Sequence, residues 1–474
     1  MHYVFFFPDE MRARSLGCYD GGLARTPNYD RLAAEGTLFE QNYTAHPVCV
    51  ASRCSLMTGW YPHVAGFRTL KHLMQPWHPN FLRYIHEAGF ETHIYGKNHV
   101  FSEPVYRECV DKYLYSDFDH GTRPAHSAPE LVPDYTMLAP PLPDNELENM
   151  HDTRCVEAAI RALRAWKPGD KPMFIFLPTL WPHAPYTVPE QYYNMYDPDA
   201  LPAPLPADLP GKPAAQALIR RYRELEGQDP AVFRKVQAVY LGMCSYVDML
   251  LGRLLDALDE TGLAADTTVI AASDHGDWAG DWGLVEKWPN AMDDDLTHVP
   301  LIIRRPGGAP GHRVRELTQT FDILPTICDW EGIPVRHDHF GRSLAAQVAG
   351  APGDPVRAVY CEGGYDLREP HCFEGTKGFS AFNQPGTLYY PKMQQQQRDP
   401  ESVCRVTMQR DARWKLNVRT NGENELYDME NDPREFKNLY HAPEHQETVR
   451  RLEQRMLAWL IDTADAVPHE GHEL

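Results

Sequence analysis

Short runs of continuous apolar residues, separated by segments with helical periodicity, constrain the fold of this chain more than any other feature. The runs have strand character and lie at residues 2–7, 92–95, 173–177, 268–272 and 300–303. At residues 232–258, apolar side chains recur at spacings of three and four, which predicts a long helix. Strands that are apolar throughout and alternate with helices are typical of a parallel sheet covered on both faces. We therefore predict an α/β fold with a doubly wound, mostly parallel sheet.

A second, smaller domain is predicted where this alternation weakens, after residue 344. Short segments with strand character follow at residues 403–408, 414–418 and 425–429, and a helix is expected from about residue 444 to 463. We therefore assign residues 1–350 to a larger domain and residues 351–474 to a smaller α+β domain with an antiparallel sheet.

Two proline-rich stretches, at residues 124–143 and 182–213, cannot form long helices or central strands. We expect both to cross the surface as long loops, either shaping a substrate pocket or serving as plain ordered insertions.

The charge balance limits the classes of partner. The 474-residue chain has 46 Lys and Arg against 66 Asp and Glu, a formal net charge of −20. Nucleic-acid binding needs clustered cations, so no nucleic-acid partner is expected. No run approaches the roughly 18–20 apolar residues of a membrane span, and the short apolar run at the N-terminus lacks the features of a signal peptide. We therefore expect a cytoplasmic protein without a membrane partner.

Four of the predicted strands are followed by acidic, basic or imidazole side chains: Asp9 and Glu10, Lys97 and His99, His183, and Asp274 and His275. In open α/β sheets, ligands bind outside the carboxyl ends of the strands. Taken singly, such residues are more often caps, turns or structural histidines. Taken together, they predict one shared site.

Oxygen and imidazole donors at these strand ends predict a divalent-metal site, with the candidate ligands Asp9, Glu10, Asp274 and His275. The predominance of oxygen favours Ca²⁺, Mg²⁺ or Mn²⁺ over a thiolate-bound metal. Positive charge around the metal would come from Arg53, Lys97 and Lys287. A metal and cations at one sheet edge suit a tetrahedral oxyanion such as sulfate or phosphate. Hydrolysis of such an ester also needs a nucleophile.

The sequence CVASRCSLMTG at residues 49–59 resembles the signature of the formylglycine-dependent sulfatases of the alkaline phosphatase superfamily. The resemblance extends along nearly the whole chain, through GKNH at 96–99, WPHAP at 181–185, SDHGDWAGDWGL at 273–284 and ELYDMENDPREFKNL at 425–439. It implies an alkaline-phosphatase-like fold and a sulfuric ester hydrolase. It also implies that a maturation enzyme oxidises Cys49 to formylglycine, whose hydrate attacks sulfur.

The resemblance implies one divalent metal, with Ca²⁺ favoured and Mn²⁺ or Mg²⁺ as alternatives. Asp9, Asp274 and His275 match the metal positions of the family, and the modified Cys49 is also expected to bind the ion. Glu10 stands where many relatives carry Asp, Asn or Gln. We include it among the predicted ligands, with a role in hydrogen bonding around the ligands as the alternative.

The same resemblance assigns catalytic roles to five further residues. Arg53 matches the residue that holds the formylglycine, and Lys97 and His99 match the pair that stabilises its hydrate. His99 is then the base that expels sulfate from the covalent intermediate. His183 and Lys287 match groups that bind the sulfate and protonate the leaving alcohol.

Two other positions depart from the pattern of the family. Ala51 replaces the commoner proline of CxPxR, which bears on which maturation enzyme accepts the chain, and Asn98 replaces the tryptophan of GKWH. Two alternative functions stay open at this point. One is a phosphonate monoesterase or phosphodiesterase of the same superfamily, and the other is a non-catalytic binding protein in which Cys49 stays unmodified.

For the substrate, we expect a carbohydrate sulfate that is small or lightly sulfated. The acidic surface would repel a heavily sulfated polymer outside the pocket, within a screening length of about 8–10 Å. Three aromatic side chains near the motifs, Trp60, Tyr61 and Trp181, are candidates for stacking on a sugar, with core packing as the favoured role of each. The oligomeric state is left open.

Overall fold

The computed structural model describes residues 1–114, 135–375 and 385–467. Within these ranges the chain forms twelve strands, β1 to β12 in chain order: His2–Phe6, Thr37–Tyr43, Glu91–Tyr95, Lys112–Leu114, Met173–Leu177, Thr267–Ala272, Leu301–Arg304, His312–Gln319, Val359–Gly363, Val406–Arg410, Trp414–Arg419 and Glu425–Asp428. The same ranges contain fourteen α-helices, α1 to α14: Pro27–Glu35, Cys49–Thr58, Pro62–Ala65, Phe81–Glu87, Glu103–Cys109, His151–Ala165, Glu190–Tyr193, Ala214–Tyr222, Pro230–Thr261, Asp294–Thr297, Ile323–Glu331, Ala345–Val348, Tyr390–Arg398 and Gln446–Asp462.

The first eight strands form one sheet in the order β4-β3-β5-β1-β6-β7-β2-β8. Neighbouring strands are parallel throughout, except that β7 runs antiparallel to both β6 and β2. The two central strands, β1 and β6, are buried along their whole length. Their carboxyl ends therefore open side by side at one edge of the sheet.

Helices cover both faces of this sheet, as the side chains of β1 show. Val4 and Phe6 point into a core that contains α1, α6 and α9. Tyr3 and Phe5 point into the opposite core, which contains α2, α4, α5 and α11. Successive side chains of a strand alternate between faces, so each apolar residue of β1 stabilises one of two layers, by about 1.5–3 kcal/mol for a fully buried side chain. The predicted doubly wound, mostly parallel sheet is confirmed.

The last four strands form a separate antiparallel sheet in the order β12-β11-β10-β9. The helix α14 packs on this sheet through Leu452 and Trp459, whose indole ring stacks on Tyr360 with ring centroids 4.1 Å apart. The predicted antiparallel sheet is confirmed, while the domain boundary at residue 350 stays a prediction.

The five apolar runs predicted as strands are all strands, namely β1, β3, β5, β6 and β7. The prediction missed four strands, namely β2, β4 and β8 of the first sheet and β9 of the second. In β8 exposed and buried residues are mixed, and β4 has only three residues, so neither carries a continuous apolar run. The strand β2, TLFEQNY, has the polar residues Glu40, Gln41 and Asn42 in its second half, so it has no continuous apolar run either.

The predicted helix at 232–258 is the core of α9, which is 32 residues long. Among the described helices, it is the one that is long and apolar enough to cross a membrane. However, 89% of an 18-residue apolar segment of this helix is buried inside the fold. Of the two proline-rich stretches, residues 124–134 lie outside the described residues. In the second stretch, residues 184–189 are buried and residues 197–212 are exposed or half-buried, so only its later part crosses the surface.

Glu362 of β9 contacts the segment after α2, and this segment in turn contacts the residue after α14. Its carboxylate accepts from Arg68 Nη2 at 3.0 Å and contacts His63 Nδ1 at 2.8 Å. The other ring nitrogen of His63 lies 2.7 Å from the carbonyl oxygen of Thr463, which follows α14. Burial alone would raise the pKa of Glu362, but His63 and Arg68 outweigh it and lower the pKa from 4.5 to about 2.

We expect Glu362→Gln to destabilise the protein by roughly 3 kcal/mol near neutral pH, because a depressed carboxyl pKa is a stabilising contribution. This contribution is complete above pH 4.5 and is lost as the pH falls from 4.5 towards 2, the two pKa values of this carboxyl. Urea unfolding of both proteins at a series of pH values tests this. An equal difference at neutral pH and at the acid end of the range would contradict it.

Candidate functional site

Two aspartates at the ends of neighbouring strands form the centre of the site. Asp9 follows β1 and Asp274 follows β6, and both are fully buried. The Oδ1 atoms of Asp9 and Asp274 lie 3.6 Å and 3.9 Å from Nε2 of His275. Because His275 Nδ1 donates to the carbonyl oxygen of Gly276 at 2.9 Å, the lone pair of Nε2 faces these oxygens.

Cys49 is the first residue of α2, and its side chain points at the same centre. Its Sγ lies 3.2 Å from His275 Nε2 and 3.5 Å from Asp9 Oδ1. Burial and the negative charge of Asp9 raise the pKa of the thiol to about 11. Among these neighbours the thiol is therefore protonated at neutral pH, which makes the unmodified cysteine a weak nucleophile.

Arg53 lies one turn further along α2 and holds the two aspartates in place. Its Nε donates to Asp274 Oδ2 at 2.9 Å, and its Nη2 donates to Asp9 Oδ2 at 2.8 Å. A third bond, from Nη1 to the carbonyl oxygen of Lys97, is 2.8 Å long. The planar guanidinium thus occupies both outer carboxylate oxygens and leaves the Oδ1 atoms facing inward.

Lys97 and His99 reach the site from the turn after β3. A Cβ at Gly96 would lie 2.3 Å from the carbonyl oxygen of Pro178, so this close approach requires glycine, as does its φ of +134°. Lys97 Nζ lies 2.7 Å from Asp9 Oδ2 and 3.8 Å from Cys49 Sγ. Burial and the positive charges of Lys97 and Arg53 hold the pKa of His99 well below its ordinary value. The imidazole is therefore neutral and able to act as a base.

Lys287 faces the cluster from the opposite side. Its Nζ lies 3.0 Å from Glu10 Oε2 and 2.9 Å from Nε2 of His183. His183 Nδ1 is 2.5 Å from the carbonyl oxygen of Ala184, which can only accept, so Nδ1 carries the proton and Nε2 accepts from Lys287. The hydrogen atoms available to a bound anion on this side are therefore those of the ammonium.

The donor set fits a divalent cation. The donor atoms of Asp9, Cys49, Asp274 and His275 all lie within 4.8 Å of one another, and all four residues are buried. The inward Oδ1 atoms and the free lone pair of the imidazole are hard or borderline ligands suited to such an ion. Glu10 is not in this group, but it forms a second group with Asp9 and His183, whose donor atoms also lie within 4.8 Å of one another, and its direct ligation stays a prediction.

The sequence interpretation placed ten residues in one site, and the structure brings all ten to the same edge of the sheet. It missed three charged residues behind Lys287, namely Glu286, Arg223 and Lys392. Glu286 contacts Arg223 Nη2 at 2.7 Å and Lys392 Nζ at 3.3 Å. Arg223 follows α8 and Lys392 lies on α13, and neither belongs to a motif that could have indicated it.

The three aromatic candidates for sugar stacking have structural roles. Trp181 is 4% exposed and donates to the carbonyl oxygen of Thr187. Tyr61 is 5% exposed and packs against Trp459 of α14. Trp60 donates to the carbonyl oxygen of Asp338 at 2.7 Å. These contacts agree with the expected core packing for Trp181 and Tyr61, whereas Trp60 is half-buried.

Known proteins similar to this chain include sulfatases and a phosphonate monoester hydrolase. A family model described as Sulfatase matches residues 1–333. An arylsulfatase of Clostridium perfringens is 26% identical over 96% of this chain and 93% of its own. An N-acetylglucosamine-6-O-sulfatase of Bacteroides thetaiotaomicron is 25% identical over 95% of this chain and 84% of its own. The crystal structure of a phosphonate monoester hydrolase of Agrobacterium radiobacter superposes with a TM-score of 0.77 at 22% identity, covering 98% of this chain and 96% of that chain.

Proposed function

This chain belongs to the sulfatase family, and on that premise we propose that it releases sulfate from a small carbohydrate sulfate through a formylglycine at position 49. The single observation that carries the proposal is the position of Cys49. Its Sγ lies within 4 Å of a predicted metal ligand, His275 Nε2, and of the Lys97 ammonium. A nucleophile between a metal ligand and a cation can attack an oxyanion ester while the charge of the transferred group is stabilised.

The hydrate of a formylglycine at position 49 would supply the nucleophile, and a bound metal would polarise the ester. The protein's own residues do the rest. Lys97 neutralises one side of the transferred group, and Lys287 neutralises the other side and gives a proton to the leaving oxygen. His99, neutral in this environment, accepts the proton whose removal expels sulfate. A maturation enzyme must act on Cys49 before any of these steps.

Support for a carbohydrate substrate comes from the relatives, among them the N-acetylglucosamine-6-O-sulfatase. Support for a small substrate comes from the net charge of −20. Acidic residues outnumber basic ones by 20 over the whole chain, so we expect the surface beyond the site to repel polyanions.

The rival function is phosphonate monoester hydrolysis. The fold does not distinguish it from sulfate ester hydrolysis, because a phosphonate monoester hydrolase has the same fold. The charge of the substrate does not distinguish the two functions either. A sulfate monoester and a phosphonate monoester each carry one negative charge, so the same cations suit both. Relative kinetics are the measurement that separates them.

We expect kcat/KM for 4-nitrophenyl sulfate to exceed that for a 4-nitrophenyl phosphonate monoester by at least about tenfold, or about 1.4 kcal/mol of transition-state stabilisation. The protein would be co-expressed with a formylglycine-generating enzyme, loaded with Ca²⁺, and assayed on both esters and on a panel of monosaccharide sulfates. The reverse preference would establish the phosphonate hydrolase.

Two controls make the comparison decisive. Mass spectrometry of the peptide containing residue 49 shows whether conversion took place, and removal of the metal with a chelator should abolish turnover until Ca²⁺, Mn²⁺ or Mg²⁺ is restored. Converted, metal-loaded protein that hydrolyses no ester of either class would refute the enzymatic proposal.

A further inference from the structure

Three cations surround one buried carboxylate directly behind the ammonium of Lys287. The carboxylate belongs to Glu286, which is 1% exposed. Its Oε2 lies 2.7 Å from Arg223 Nη2, and its Oε1 lies 3.3 Å from Lys392 Nζ and 3.5 Å from Lys287 Nζ. Arg223 and Lys392 are each 2% exposed, so the cluster is sealed from solvent.

The backbone at this point has an unusual conformation. Glu286 has a φ of +62°, in the left-handed region that a non-glycine residue adopts at a cost. Both backbone groups are fixed: its N–H donates to Tyr186 Oη at 2.8 Å, and its carbonyl oxygen accepts from Trp278 at 3.2 Å. Consecutive side chains of an extended chain point to opposite sides. Here, by contrast, the Glu286 carboxylate and the Lys287 ammonium come within 3.5 Å of each other.

This contact completes the environment of the Lys287 ammonium. The ammonium has three hydrogen atoms, and two of them are donated to Glu10 Oε2 at 3.0 Å and to His183 Nε2 at 2.9 Å. Glu286 Oε1, at 3.5 Å, is an ion-pair partner and not a hydrogen-bond acceptor, so the third hydrogen stays available to the substrate. Glu286 is the most distant of the three, and it is itself held by cations on α13 and at the end of α8. It therefore fixes the direction of the ammonium without competing strongly for its hydrogen atoms.

We propose that Glu286, held by Lys392 and Arg223, is a positioning residue that aims the Lys287 ammonium at the leaving oxygen of the substrate. The proposal rests on the proposed function, in which Lys287 protonates the leaving group. In that step the nucleophile at position 49 would form a bond to sulfur as the bond between sulfur and the ester oxygen breaks. The electron pair stays on the departing oxygen, and one hydrogen of the ammonium passes to this oxygen. Glu286 touches neither the substrate nor the reacting atoms.

The test uses two substrates that differ in their need for a proton. An aryl sulfate leaves as a stable phenolate, whereas an alkyl sulfate must leave as the protonated alcohol. We expect Glu286→Gln to lower kcat/KM for an alkyl sulfate by about 100-fold, the usual value of a general acid, and that for 4-nitrophenyl sulfate by no more than about 3-fold. A merely structural role would lower both by the same factor, and that result would overturn the proposal.

Two further variants separate positioning from charge balance. E286Q/K392M removes a negative and a positive charge together. If Glu286 only neutralises Lys392, activity on the alkyl sulfate returns in this variant, which would refute the proposal. If Glu286 acts through Lys287, the selective loss persists. Glu374→Gln is the matched control, because Glu374 Oε1 lies 3.8 Å from Lys392 Nζ on the other side, so both substrates should react at the wild-type rate.

The activity of the wild-type protein distinguishes failure of the proposed function from failure of the positioning role. If converted, metal-loaded wild-type protein hydrolyses neither sulfate, the proposed function fails and this inference fails with it. If the wild type hydrolyses both and Glu286→Gln shows no selectivity between them, only the positioning role is refuted. Circular dichroism and the melting temperature of each variant exclude unfolding as the cause of any loss.

Discussion

Replacing Cys49 with alanine is expected to lower kcat/KM for sulfate release by about 10⁴-fold or more, the loss typical of removing a nucleophile. The fold should survive, because alanine is a good helix former at the first position of α2 and Arg53 still holds the two aspartates. Sulfate release from 4-nitrophenyl sulfate measures the effect. In the wild-type peptide, conversion replaces one sulfur and two hydrogens by one oxygen, and mass spectrometry detects this change.

The matched control for this variant is Cys54→Ala, five residues further along the same helix. Both cysteines are buried, but Cys54 packs in the core under the sheet and does not face the site. Its replacement should reduce stability by about 1 kcal/mol and leave kcat/KM unchanged. Cys49→Ala protein that retained wild-type turnover would refute a nucleophile at position 49, whatever the mass spectrum showed.

The core of the fold and most of the site could be predicted from the sequence because both depend on local patterns. Continuous apolar runs identified β1, β5 and β6, and the charged residues directly after them are fixed at one edge of the sheet by the parallel topology. The edge strand β8 was missed because its sequence, HRVRELTQ, has only two apolar residues, Val314 and Leu317, and they are not adjacent. Such a strand has no apolar run to detect.

The residues that the sequence could not indicate are those whose role depends on long-range contacts. Glu286, Arg223 and Lys392 come from three separate segments, and nothing in their neighbourhood in the chain signals that they meet. The orientation of Glu10 is a similar case. Its Oε2 contacts Lys287, and nothing in the neighbouring sequence indicates that contact, while its direct ligation of a metal stays a prediction.

Replacing Arg53 is expected to have the second-largest effect, on stability and activity together. Arg53→Met would leave the carboxylate of Asp274 without its cation in a fully buried position, and Asp9 would retain only Lys97. Breaking a buried ion pair from one side typically destabilises a protein by about 3–5 kcal/mol. The inward Oδ1 atoms would also lose their alignment, so we expect kcat/KM to fall by about 10²–10³-fold and metal affinity to fall with it.

Arg53→Lys separates charge from geometry. A lysine restores the positive charge, but one ammonium cannot reproduce the three bonds of the guanidinium to Asp274, Asp9 and the carbonyl of Lys97. We therefore expect stability to recover in part, while kcat/KM stays at least about tenfold below the wild type. Arg357→Lys is the matched control, because Arg357 makes a buried pair with Asp322 outside the site. It should lose stability but keep its turnover per folded molecule. If Arg53→Lys kept the wild-type kcat/KM, a positive charge alone would be sufficient to organise the two aspartates. The planar geometry of the guanidinium would then have no role in the site.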